Sequence, residues 1–199
     1  MRTIDKLAML LLAMGIGLSA TAQDKMQKMD KGEKTVMVGG AAMYPSKNII
    51  ENAMNSKDHT TLVAAVKAAG LVATLEGKGP FTVFAPTNKA FDALPAGTVD
   101  NLLKPENKAQ LSGVLTYHVV AGKYDSKALM DLIKKGGGKA TLTTVAGGKL
   151  TLKMDGKMIS VWDEKGGHAM VTTADVYQSN GVIHVVDGVL MPNAMMPKM

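Results

Sequence analysis

The apolar positions change period once along the chain. As far as Gly138 they recur every three to four residues; from Lys139 onward they recur every second residue. Ile49, Ile50, Ala53 and Met54 share one helical face behind Ser46, which predicts a first helix capped by that serine. Leu62, Val63, Val66 and Ala69 mark a second helix, opening at Asp58 or His59. Gly70 follows it, the residue type that best accepts a left-handed C-terminal position. Leu71, Val72 and Leu75 give a short third helix. Thr98 caps a stretch with Val99, Leu102 and Leu103 inward, and Pro105 suits the first turn of the next, over Leu111, Val114 and Leu115. Asp125–Ile133 reads as helix, ended by Gly136-Gly137-Gly138.

Two strands interrupt this first half. Phe81–Phe84 is a β-branched and aromatic run between Gly79-Pro80 and Pro86. Pro86 lacks the N–H that a central ladder needs, and Thr87 or Asn88 then caps a helix carrying Phe91 and Leu94. Tyr117–Ala121 is the second. Past Lys139, Leu150, Leu152 and Met154 alternate with Lys149, Thr151 and Lys153. Ala146-Gly147-Gly148 and Asp155-Gly156 are turns, the latter leading into Met158–Trp162. Ala169–Val176 and Val182–Val189 are further strands, joined by Asn180-Gly181. Helices first and strands second predict an α+β fold rather than alternating β-α units.

The N-terminus adds a compartment. Arg2 and Lys6 precede the apolar stretch Leu7–Ala20, and Ala20-Thr21-Ala22 is a small-x-small cleavage pattern, so residues 1–22 read as a secretory signal cut before Gln23. The apolar stretch is too short to span a bilayer, and no later one is longer. Residues 23–42 are polar and then small, which reads as a flexible tether before a domain over 43–192; a Met-rich tail, 193–199, follows. The chain has no cysteine, which removes disulfides, thiolate metal sites and a Cys nucleophile. Absence of an Asn-x-Ser/Thr sequon points the same way, to a bacterial periplasm or exterior. Net charge is +6, with lysines scattered among acids and aromatics at only 4%, so no stacking platform for nucleic acid is visible.

Three segments, in order, carry a resemblance: Gly79-Pro80-Phe81-Thr82-Val83-Phe84-Ala85-Pro86-Thr87-Asn88-Lys89-Ala90-Phe91-Asp92-Ala93-Leu94-Pro95, then Leu115-Thr116-Tyr117-His118-Val119-Val120, then Ser179-Asn180-Gly181-Val182-Ile183-His184-Val185-Val186-Asp187-Gly188-Val189-Leu190-Met191-Pro192. Together they resemble the signature segments of the fasciclin domain. The resemblance implies an antiparallel β-sandwich or wedge, built in the second half, with helices from the first half grouped beside it. It also implies a secreted adhesion or interaction module, with a protein or glycan partner on a cell surface or matrix, no cofactor and no catalysis. Its binding residues would be the tyrosine-histidine pair Tyr117-His118 and the strand-end pair Asp175-Val176, where adhesive members carry Asp-Ile.

Each of these has a structural counterpart. In a strand Tyr117 and His118 point to opposite faces, so one is expected buried, and His118 reads first as a histidine joining parts of the fold. Asp175 also suits a turn that binds its own backbone. His184 reads as structural. His59, His118, His168 and His184 show no His-x-His or i, i+4 spacing, so no metal site is expected from them. The 16 methionines, crowded at Met191, Met195, Met196 and Met199, support an alternative reading: an exported binder of copper, or of a small apolar ligand in a cleft between helices and wedge. Enzyme signatures such as G-x-S-x-G, H-E-x-x-H and the P-loop do not occur. A monomer is expected.

Overall fold

A computed structural model describes residues 34–193. The signal segment, the first part of the tether and the tail from residue 194 onward lie outside the described residues. Part of the expected tether is folded: β1 (Val36–Val38) and β2 (Ala41–Met43) form a hairpin across Gly39-Gly40, with Val38 and Met43 buried. The tether reading therefore fails over residues 36–42. Its two glycines are a tight turn with positive φ at both, not slack chain.

The first helix, α1 (Ile49–Ala53), is capped by Asn48 rather than Ser46. Asn48 Oδ1 accepts from Glu51 N–H at 2.9 Å and Glu51 Oε2 accepts from Asn48 N–H at 2.8 Å, a reciprocal capping box. A single 3₁₀ turn, Lys57–His59, leads into α2 (Thr60–Ala69), which ends on left-handed Gly70. Then follow α3 (Val72–Leu75), β3 (Phe81–Pro86), α4 (Asn88–Asp92) capped by Thr87, and α5 (Thr98–Leu102). The remaining elements are a second 3₁₀ turn (Pro105–Asn107), α6 (Lys108–Tyr117), β4 (Val119–Ala121), α7 (Ser126–Lys135), β5 (Lys139–Thr143), β6 (Lys149–Asp155), β7 (Met158–Trp162), β8 (His168–Gln178) and β9 (Gly181–Val186).

Seven strands form one sheet in the order β4-β3-β9-β8-β7-β6-β5. The expected antiparallel wedge contains one parallel pair: β3 and β9 run parallel, from Phe81↔Gly181 to Pro86↔Val186. Parallel strands are usually covered on both faces. That holds here, since every residue of β9 is buried and only Phe81 of β3 is not. One face, carrying Val83, Ala85, Ile183 and Val185, packs under α1, α2 and α6. The other, carrying Phe84 and Val186, joins a second core made by α7 and the inner faces of β5–β8. The two ends of the sheet meet at an isolated bridge between Val120 and Thr144, reinforced by Val145 N–H donating to Val119 O at 2.8 Å.

Two hairpin turns sit one residue from their predicted places. Asp155 pairs with Met158, so the turn is Gly156-Lys157; Gln178 pairs with Gly181, so the turn is Ser179-Asn180. The last strand ends at Val186, and residues 187–193 run back across the fold as an irregular segment.

Candidate functional site

Tyr117 and His118 do not lie in a strand. Tyr117 is the last residue of α6, and His118 closes it, its N–H donating to Leu115 O at 3.1 Å. At a helix end the two side chains diverge into the two cores, and both are buried. Tyr117 OH donates to Lys149 O at 2.7 Å and accepts from Glu164 N–H at 3.3 Å, which ties α6 to the start of β6 and the β7–β8 loop. Burial pushes its phenol up to about 12.

His118 bridges in the other direction. Leu190 N–H donates to Nε2 at 3.0 Å, so the proton sits on Nδ1, which donates to Val114 O at 2.8 Å. The ring thus anchors the segment after β9 onto α6. Desolvation is the largest influence on it and pushes its pKa down to about 4.

Asp175 and Val176 sit where β8 bulges twice against β9, between Val171 and Val176. Val176 is buried. Asp175 has φ 60°, a left-handed value that a non-glycine residue adopts at a cost. This turn aims its carboxylate at the start of α7. Oδ1 accepts from Ser126 N–H at 2.6 Å, and Oδ2 accepts from the Ser126 hydroxyl. A carboxylate at the positive end of a helix dipole is well placed. Asp125 caps the same helix, accepting from Ala128 N–H at 2.8 Å. Asp175 N–H also donates to His184 Nδ1 at 3.4 Å, and His184 Nε2 donates to Tyr124 O at 2.8 Å, so Asp175 and His184 belong to one clasp around the α7 entry. Burial holds the His184 pKa below its ordinary value. Among the described residues no hydrogen bond joins this clasp to the Tyr117–His118 pair.

Other polar side chains do more in the fold than the sequence pattern indicates. Asn180, read as turn chemistry, is a junction: Oδ1 accepts from Ile49 N–H at 3.1 Å, and Nδ2 donates to Leu75 O at 2.7 Å and Gly77 O at 2.9 Å. Asn52 accepts from Tyr44 N–H at 3.0 Å and donates to Tyr44 O at 2.8 Å and to Gln178 Oε1. His59 Nδ1 bonds Ser56 Oγ at 2.8 Å, while its buried Nε2 has no hydrogen-bond partner among the described residues. Only its side-chain chemistry singles it out, since a lone histidine has no spacing to betray it.

His59, His118, Ser56 and Lys67 border a cavity of about 50 Å³ between α1, α2 and the β3–β9 pair, walled elsewhere by apolar side chains such as Ile50 and Val66. Pockets for drug-sized ligands run to about 300–1,000 Å³, so this void holds nothing of that size with α1 and α2 in place. Among the described residues no group of three or more His, Asp or Glu side chains is placed to hold a metal ion, and no helix is long and apolar enough to cross a membrane.

A mixed sheet with a parallel central pair, helices packed on both faces of that pair, and histidine clasps at α6 and α7 define an α+β module of fasciclin type. The family model for the Fasciclin domain matches residues 57–192, and the chain belongs to that family. It is 48% identical over 168 residues to Protein sll1483 of Synechocystis sp., covering 84% of this chain and 86% of the relative. Immunogenic protein MPB70 of Mycobacterium bovis is 37% identical over 147 residues, covering 71% of this chain and 67% of that protein. Among solved structures, the FAS1 domain pair of the insect cell adhesion molecule fasciclin I superposes with a TM-score of 0.66 at 18% identity, covering 76% of this chain and 53% of that one.

Proposed function

We propose that the chain is an exported, non-enzymatic interaction module that attaches to a protein or glycan of a cell surface or matrix. The observation that carries this reading is the Fasciclin domain match over residues 57–192, together with the fold shared with a cell adhesion molecule. Export rests on the Arg2, Lys6 and Ala20-Thr21-Ala22 pattern and places the module in the periplasm or outside the cell. The module acts as a single chain.

The clasps divide the labour. Tyr117, His118 and Val176 are interior, so they serve attachment by holding the surface in shape. Asp175 is partly exposed, but both carboxylate oxygens are taken by Ser126. Contact with a partner therefore falls to the outer surface rather than to these four residues. The test is retention of the purified full-length protein on native cell envelope, beside assays for ester and glycoside hydrolysis. Saturable retention without turnover is expected. Turnover on either substrate class, or no retention, sinks the reading.

A further inference from the structure

The outer face of β5–β8 collects charges that the sequence scatters. Leu142, Leu150, Leu152, Val161 and Ala169 point into the core, so their strand neighbours point out. Register then sets Lys139 directly opposite Lys153, and Lys149 opposite Thr143. The next row runs Thr151, Trp162, His168 across three strands. Lys139, Lys149 and His168 are exposed, and Lys153, Thr151 and Trp162 are half-buried.

Like charges directly across a strand pair cost stability. Among the described residues none of the three lysines forms an ion pair that would offset this. Lys153 Nζ lies 4.0 Å from the centroid of the Trp162 ring, and His168, from the strand on the other side, stacks on that ring at 4.5 Å and 19°. Asp155 stands at the hairpin end of the face, and Glu164 borders it with Oε1 engaged by Lys149 N–H at 3.1 Å. The middle of the face is left cationic.

We propose that this face binds an acidic polysaccharide, a polymer of carboxylate-bearing sugars. The proposal rests on the interaction-module reading and names its partner and surface. Charge complementarity selects a polyanion. Two features favour sugar over nucleic acid. The described chain has lysines but no arginine, so it offers point charges rather than the planar forks that suit phosphate. Trp162 is the only tryptophan, and its ring is already engaged by Lys153 and His168, so no series of bases can stack. Thr141 and Thr151 add hydroxyls that match those of a sugar chain.

The same tryptophan reports on the site. Titrating the full-length protein with alginate at low salt is expected to change Trp162 emission, with affinity falling as salt rises, while neutral dextran leaves it unchanged. Replacing Lys139, Lys149 and Lys153 with Gln should weaken alginate binding at least about tenfold without lowering the melting temperature, because the removed charges repel one another. A control with Lys67, Lys104 and Lys108 replaced by Gln loses the same net charge from the helical side and should bind like wild type. The proposal is overturned if the control loses as much affinity as the face variant, if emission does not respond to alginate, or if single-stranded DNA binds as tightly. Envelope that retains wild type and face variant equally well also removes the face, and leaves the interaction reading standing. Envelope that retains neither removes that reading as well.

Discussion

At the scale of single residues, Tyr117, His118 and Val176 are buried and Asp175 is hydrogen-bonded within the fold. His118 has both ring nitrogens committed, to Val114 and to Leu190, in a fully buried position. His118→Ala strands one acceptor and one donor and opens a void, so we expect a loss of about 3 kcal/mol in urea unfolding. An unchanged midpoint would show that the ring is dispensable to the fold. The pH dependence has a definite sign. The unfolded chain protonates near the ordinary value of 6.5, whereas the folded ring stays neutral until about 4. The stability of the neutral ring is whole above pH 6.5 and declines as pH falls towards 4, by about 3 kcal/mol. His59 and His184 shift in the same direction and add to the decline. Chemical denaturation at pH 7 and pH 4.5 should show the drop, and His118→Ala should flatten it. Asp175 makes a separate point. Asp175→Ala removes two hydrogen bonds at the start of α7 and keeps a Cβ at φ 60°, costing about 2–3 kcal/mol. Asp175→Gly loses the same bonds but suits that backbone, and should be about 1 kcal/mol less damaging. Equal melting temperatures for the two variants would mean that the left-handed turn carries no penalty.

At the scale of elements, close backbone approach fixes the parallel pair. A Cβ on Gly181 would meet Phe81 O at 2.1 Å, so Gly181→Ala must push β9 away from β3. Both strands are buried on both sides, and each Val or Ile there contributes about 1.5–3 kcal/mol of burial. We expect this variant to be the least stable of those named here, or to fail to accumulate; wild-type stability would overturn the tight pairing. What the sequence disclosed follows from range. Short-range signals gave β3, the Thr87 cap, Gly70 and β7, because capping and strand composition act within a few residues. Tyr117 was misread because Tyr and the valines after it favour strands, while the α6 ladder reaches one turn further than its Leu111, Val114 and Leu115 face indicates. The hairpin of β1 and β2 was missed because a Lys-rich stretch runs straight into small residues. Asn180 gave only its turn propensity, since its three partners lie over a hundred residues away in sequence. The meeting of Lys139 with Lys153 depends on a register that no local pattern encodes.

At the scale of the whole molecule, β3 and β9 are the wall shared by two cores. Opening either side exposes them, so their amides should exchange only through global unfolding. Hydrogen exchange that finds the β5–β6 hairpin slower than β9 would contradict a shared wall. The long return segment behaves with them, since Leu190 is pinned by His118 and Met191 N–H donates to Asp163 at 3.1 Å. The bridge from Val120 to Thr144 has a consequence for assembly. Open sheets offer unpaired backbone at their margins, and other chains extend them by adding strands. Here the two margins are turned toward each other and share hydrogen bonds. Copies of this chain are thereby kept from zipping into ribbons through those margins, which leaves side chains rather than the strand edges of this sheet to meet other molecules.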